Sequence, residues 1–147
     1  MRTLFSVSLL LVSTSACSRQ TPFKPVTTVK ELMTATIEPS AEVVFDAAVW
    51  ENGVSVGAPK NDEEWSEVRN SALTLAESGN LLMMSPRAKD QVGWMSRSEA
   101  LIDAGMAAAK AAETKDLDAV FVAGGHIYET CTACHQQYIS AGALKNR

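Results

Sequence analysis

The chain has 147 residues, too few for two ordinary domains, and its 46% hydrophobic and 20% charged residues describe one globular core rather than a disordered tract. Its 13 Lys and Arg against 17 Asp and Glu leave a net charge of −4. No lysine- or arginine-rich block interrupts the chain, so the basic stripe of a nucleic-acid binder is excluded. Aromatic residues at 6%, with 8 Gly and 5 Pro, disfavour a β-sandwich, and stretches such as the alanine-rich 107–112 read as helix.

In chain order the first feature is a leader. Arg2 supplies a positive start, residues 4–12 (LFSVSLLLV) an apolar run, and residues 13–16 (STSA) a small-residue exit, the pattern of a secretory signal peptide over 1–16. The apolar run is about half of the roughly 20 residues that a membrane-spanning helix needs, and none follows it, so no span is expected. Ser15-Ala16-Cys17 then resembles the lipobox of bacterial lipoproteins, with Thr14 standing where that motif carries Leu, Val or Ile. The alternative is ordinary signal-peptidase cleavage near the same bond, leaving Cys17 an incidental thiol. A free thiol is a liability in an oxidising compartment, which favours lipidation of Cys17. Residues 17–26, with Pro22 and Pro25, read as a short tether. The domain proper is 27–147, and the expected location is the periplasm, at the membrane through lipid only.

Four amphipathic helices are predicted in that domain. Thr28-Val29-Lys30-Glu31 is a capping box, followed by Val29, Leu32, Met33, Thr36 and Ile37 on one face. Pro39 either interrupts this helix or restarts it as a first-turn proline, with Val44, Phe45 and Ala48 beyond. Residues 52–60, holding Gly53, Gly57 and Pro59, read as a loop. Asn61-Asp62-Glu63-Glu64 opens the second helix, with Trp65, Val68, Ala72, Leu75, Gly79 and Leu82 at helical steps. Residues 83–95 form the long link. Ser96-Arg97-Ser98-Glu99 is read as opening the third helix, and Asp116 as capping the fourth. Short connections between such helices predict an all-α antiparallel four-helix bundle.

The fourth helix carries Cys131-Thr132-Ala133-Cys134-His135. C-x-x-C-H is the attachment signature of c-type haem. Two thiols one helical turn apart can each add to a vinyl group of the porphyrin, and the adjacent imidazole then lies under the iron as an axial ligand. A thioredoxin-type pair calls for a βαβ context that this sequence lacks. A zinc site calls for further ligands, and only Cys17 and His126 remain. Haem is attached outside the cytoplasm, which agrees with the leader. One covalent haem c per chain, on Cys131, Cys134 and His135, is the expected cofactor.

A C-x-x-C-H near the C-terminus, on the last helix of a bundle, resembles the cytochrome c-prime family, the class II c-type cytochromes. The resemblance spans roughly residues 27–140, through Val29-Lys30-Glu31-Leu32-Met33, the Trp65 helix, and Cys131 to His135 with Tyr138. It implies one haem in a four-helix bundle, with Cys131 and Cys134 as thioether sites and His135 as proximal ligand. Position 139 is Ile, where many members carry a basic residue. The family divides at its sixth iron position. High-spin members leave it open and bind small gases; low-spin members fill it with a methionine of the first helix and transfer electrons. Met33 stands at that methionine's place. The resemblance therefore implies an exported one-electron carrier, not an enzyme, that meets redox donor and acceptor proteins and no nucleic acid, with homodimers frequent in the family. The alternative is a high-spin protein that binds nitric oxide or carbon monoxide.

Met83, Met84, Met95 and Met106 are weaker candidate ligands, on helix ends, the link or the third helix. His126 lies on the same helix as His135, and one straight helix cannot clamp both faces of a macrocycle. It reads as a surface residue. Gly124-Gly125 implies either close approach of a neighbour or a helix break.

Overall fold

The computed structural model describes residues 23–139. The leader, Cys17 and the first part of the tether lie outside the described residues. Within them the chain is mostly helical, with four helical units and little strand.

The first unit is a helix in three sections. Thr28 caps α1 (Val29–Leu32): its Oγ1 accepts from the Glu31 N–H at 3.2 Å, and the Glu31 carboxylate accepts from the Thr28 N–H at 2.8 Å. A π-helical turn over Met33–Ile37 follows, then α2 (Glu38–Asp46). Pro39 explains the turn. It has no N–H, and its ring would crowd the carbonyl four residues back in an ordinary helix. The chain widens instead, the Glu38 N–H donating to the Met33 carbonyl five residues back. Pro39 thus restarts the helix without ending it.

A short hairpin separates this unit from the next. Strands β1 (Trp50–Glu51) and β2 (Val54–Ser55) pair antiparallel across Asn52-Gly53, whose φ angles are 52 and 79°. Asn-Gly is the preferred two-residue hairpin turn because both positions require positive φ. Sequence reading placed a loop here, and the hairpin corrects it.

Asn61 caps α3 (Asp62–Met83), its Oδ1 accepting from the Glu64 N–H at 2.9 Å while the Glu64 carboxylate reaches back to the Lys60 N–H at 2.7 Å. The next helix, α4 (Gly93–Glu113), starts earlier than the predicted Ser96. Its first turn is held by Asp90, whose Oδ1 accepts from the N–H groups of Val92 at 3.0 Å and Trp94 at 3.1 Å. Trp94 is buried and donates its indole N–H to the Leu82 carbonyl at 2.8 Å, tying α4 to the end of α3. Asp116 caps α5 (Leu117–Tyr138) as expected, accepting from the Ala119 N–H at 3.0 Å.

The closest packing joins α3 to α4. A Cβ at Gly105 would lie 2.8 Å from the Ala76 nitrogen and 2.9 Å from the Ala72 oxygen, and one at Gly79 would lie 2.6 Å from the Ser98 oxygen. These are backbone atoms, so only glycine allows the approach. Because 79 meets 98 while 72 and 76 meet 105, the two helices run in opposite directions. α4 in turn packs on α5, and α2 touches α3 and α5 less extensively. Val44, Leu75, Val120 and Ile127 are fully buried where these surfaces meet. Among the described residues no helix is long and apolar enough to cross a membrane.

Candidate haem site

Cys131, Cys134 and His135 occupy the last turns of α5, all half-buried. Their spacing of three and four residues puts them on one helical face. That face closes a cavity of about 30 Å³. Met33 and Ile37 line it from the two ends of the π turn, Leu82 from α3, Arg97, Ser98 and Leu101 from α4, and Thr130 with the three motif residues from α5. Residues about a hundred positions apart in sequence therefore share one small, mainly apolar space. Its polar hydroxyl at Ser98 is satisfied by the Trp94 carbonyl at 2.9 Å.

Both thiols are free, and both are held above the ordinary thiol range. Burial is the main cause at each; the neighbouring Cys134 adds to it at Cys131, and the positive charge of Arg97 opposes it at Cys134. A dithiol redox pair needs the reverse, a thiolate favoured by a helix N-terminus. These cysteines lie at a helix C-terminus, where the dipole disfavours negative charge. Among the described residues no group of three or more His, Cys, Asp or Glu side chains converges as a zinc cage would.

The C-terminal end of α5 is held by a polar clamp. The Tyr138 hydroxyl donates to Asp90, the residue that also caps α4, and the Tyr138 ring meets Trp94 edge-on with centroids 5.0 Å apart. Burial and the Asp90 carboxylate push the Tyr138 phenol up to about 12. The same hydrogen bond, aided by the Trp94 N–H, holds the Asp90 carboxyl below its usual range. Gly93 permits the closure, since a Cβ there would stand 2.6 Å from both Gln137 Nε2 and Tyr138 Oη.

The other candidates fall elsewhere. Met106 is 51% exposed, and Met83, Met84 and Met95 do not line the cavity. His126 is exposed beside Glu129, with Nδ1 3.4 Å from its carboxylate. Gly124 and Gly125 do not break α5; Gly124 sits in ordinary contact range of Phe45, and nothing crowds Gly125. Sequence reading had not placed Arg97 and Ser98 at the site, treating them only as part of a helix start. Leu101, four residues after Arg97, was the available signal that both share one face.

The donor set suits a c-type haem: two thiols and an imidazole on one helix, a thioether opposite, aliphatic walls between. A cavity of about 30 Å³ is well short of the roughly 300 Å³ or more of ordinary ligand pockets. Accommodating a porphyrin would therefore require the elements around the cavity to separate, and the first helical unit packs on α5 less extensively than α4 does. No family model, no curated protein and no solved structure matches this chain.

Proposed function

We propose that this chain is an exported monohaem c-type cytochrome, an antiparallel four-helix bundle of the low-spin cytochrome c-prime kind, that carries single electrons between redox proteins. The observation that carries this reading is the meeting of Met33 with Cys131, Cys134 and His135 around one apolar cavity. Bound haem would supply an iron that takes up and releases one electron. Cys131 and Cys134 would hold the porphyrin through thioether bonds, His135 would ligate the iron on one side, and Met33 on the other. Ile37, Leu82 and Leu101, which line the cavity, would keep water from the iron. A thioether from the first helix raises the potential relative to stronger donors, as suits a periplasmic carrier. Pro39 has a part in this: the π turn it imposes begins at Met33 and ends at Ile37, both of which line the cavity.

The discriminating experiment is the absorption spectrum of the purified ferric and ferrous protein, with Met33→Ala beside it. The wild type should be low spin and indifferent to carbon monoxide; Met33→Ala should turn high spin and bind the gas when reduced, with haem still attached. A wild type already high spin would reject Met33 as ligand and favour the gas-binding alternative. Lipidation of Cys17 belongs to the same proposal: Cys17→Ser should release the protein from membranes into the soluble periplasm with its spectrum unchanged, and an unmodified Cys17 in the native protein would reject it.

A further inference from the structure

We propose that Arg97 sets the charge of the haem site, its guanidinium favouring the reduced over the oxidised state from the α4 wall of the cavity. The inference rests on the cytochrome reading and extends it to a residue outside the attachment motif and the axial pair.

Three observations support it. First, apart from the His135 imidazole, Arg97 is the one ionisable cation lining the cavity, whose other walls are aliphatic, sulfur or hydroxyl groups. Second, Arg97 is half-buried, and its guanidinium makes no side-chain hydrogen bond or ion pair among the described residues. The contrast is Arg87, a buried arginine each of whose three guanidinium nitrogens donates: to the Thr27 carbonyl at 3.0 Å, to the Leu81 carbonyl at 3.1 Å and to Thr27 Oγ1 at 2.9 Å. Removing a guanidinium from water without a partner is costly, and packing between Ser98 and Leu101 does not require one. Third, its charge reaches the residues around His135, opposing the effect of burial at both Cys134 and Tyr138 on the same helix.

The consequence follows from Coulomb's law. Reduction of the ferric centre takes one electron from a one-electron donor protein and lowers the local charge by one, with no bond formed or broken. A fixed cation nearby is repelled more strongly by the oxidised state, and inside the protein salt screens that repulsion far less than at the surface. Arg97 therefore raises the reduction potential, in the same direction as a Met33 thioether.

The test uses purified holoprotein as wild type, Arg97→Gln and Arg97→Lys, with haem content, spin state and midpoint potential measured at neutral pH. Arg97→Gln should keep its haem and low-spin spectrum while the ferric-to-ferrous ratio at a fixed potential rises about tenfold, a fall of about 59 mV for one electron. Arg97→Lys, which keeps the charge, should stay close to wild type. If Arg97→Gln fails to accumulate, Arg97→Met serves with the same expected fall. A neutral variant with attached haem and an unchanged potential would overturn the role of Arg97 and leave the cytochrome reading standing, as would a fall of equal size in Arg97→Lys. A wild type without covalent haem would overturn the cytochrome reading itself.

Discussion

Along the α3–α4 seam the two backbones approach closely at Gly79 and Gly105, against backbone atoms of Ala72, Ala76 and Ser98, with the Ile102 side chain also against Gly79. Where the first helical unit faces α5, side chains mediate instead. Met33 and Ile37 meet the cysteine motif around a cavity of about 30 Å³, and Val44, Phe45 and Ala48 face Val120, Phe121 and Tyr128 across a groove of about 270 Å³. A seam made of backbone has one spacing. A seam made of methionine, isoleucine and phenylalanine can change its spacing by rotating side chains, at the cost of rotamer rearrangement rather than broken helices. On the cytochrome proposal, a large planar group would enter at the side-chain seam rather than at the backbone one. The glycine seam holds α3 and α4 together, α5 is fastened near the start of α4 by Tyr138 and Asp90, and the first unit meets α5 through side chains.

The strongest way to break this contrast is at Gly105. Gly105→Val places branched carbons against the backbone of Ala72 and Ala76, and a loss of about 3 kcal/mol is expected in urea unfolding. A loss below about 1 kcal/mol would mean that the seam yields.

On the other side, glycine has no such duty. A Cβ at Gly125 meets nothing within 4 Å, and the residue lies inside α5. Gly125→Ala should therefore stabilise the protein by about 0.5–1 kcal/mol through helix propensity alone. Destabilisation measured in the same assay would reveal a contact at this face and blur the distinction between the seams.

The smallest effect concerns the fastening of α5, and it is read as a pH profile. The Tyr138 phenol is raised to about 12 from an unfolded value of about 10. Its contribution to stability is thus complete below about pH 10 and lost as pH rises through 12. The Asp90 carboxyl is lowered, so its contribution is present above about pH 3.9 and lost as pH falls through the folded value. Tyr138→Phe in the holoprotein should flatten the alkaline loss between pH 10 and 12 and weaken the acid one. An unchanged profile would show that the Tyr138–Asp90 bond does not fasten α5.

What was legible in the sequence was local. Thr28, Asn61 and Asp116 announce helix starts because a cap is a contact between residues two or three apart, and each is found capping. The Cys131–His135 segment is local in the same sense, its spacing placing three side chains on one face of α5. The start of α4 was misplaced because its cap is Asp90, ahead of a glycine whose purpose is the approach of Gln137 and Tyr138 from another helix. The hairpin at Asn52-Gly53 was passed over because two-residue strands carry no alternation, although the dipeptide itself was the signal. Arg97 shares a face with Leu101 by its spacing of four residues, but only the packing of α4 on α5 brings that face to the cysteine motif.

The most direct measurement is the mass of the intact chain, purified from a host that exports and matures c-type cytochromes, after denaturation and acid-acetone extraction. The expected result is the processed polypeptide plus one haem, with the added mass lost when Cys131 and Cys134 are both replaced by alanine. A wild-type chain carrying no haem mass under those conditions would contradict the claim that Cys131, Cys134 and His135 form a haem site.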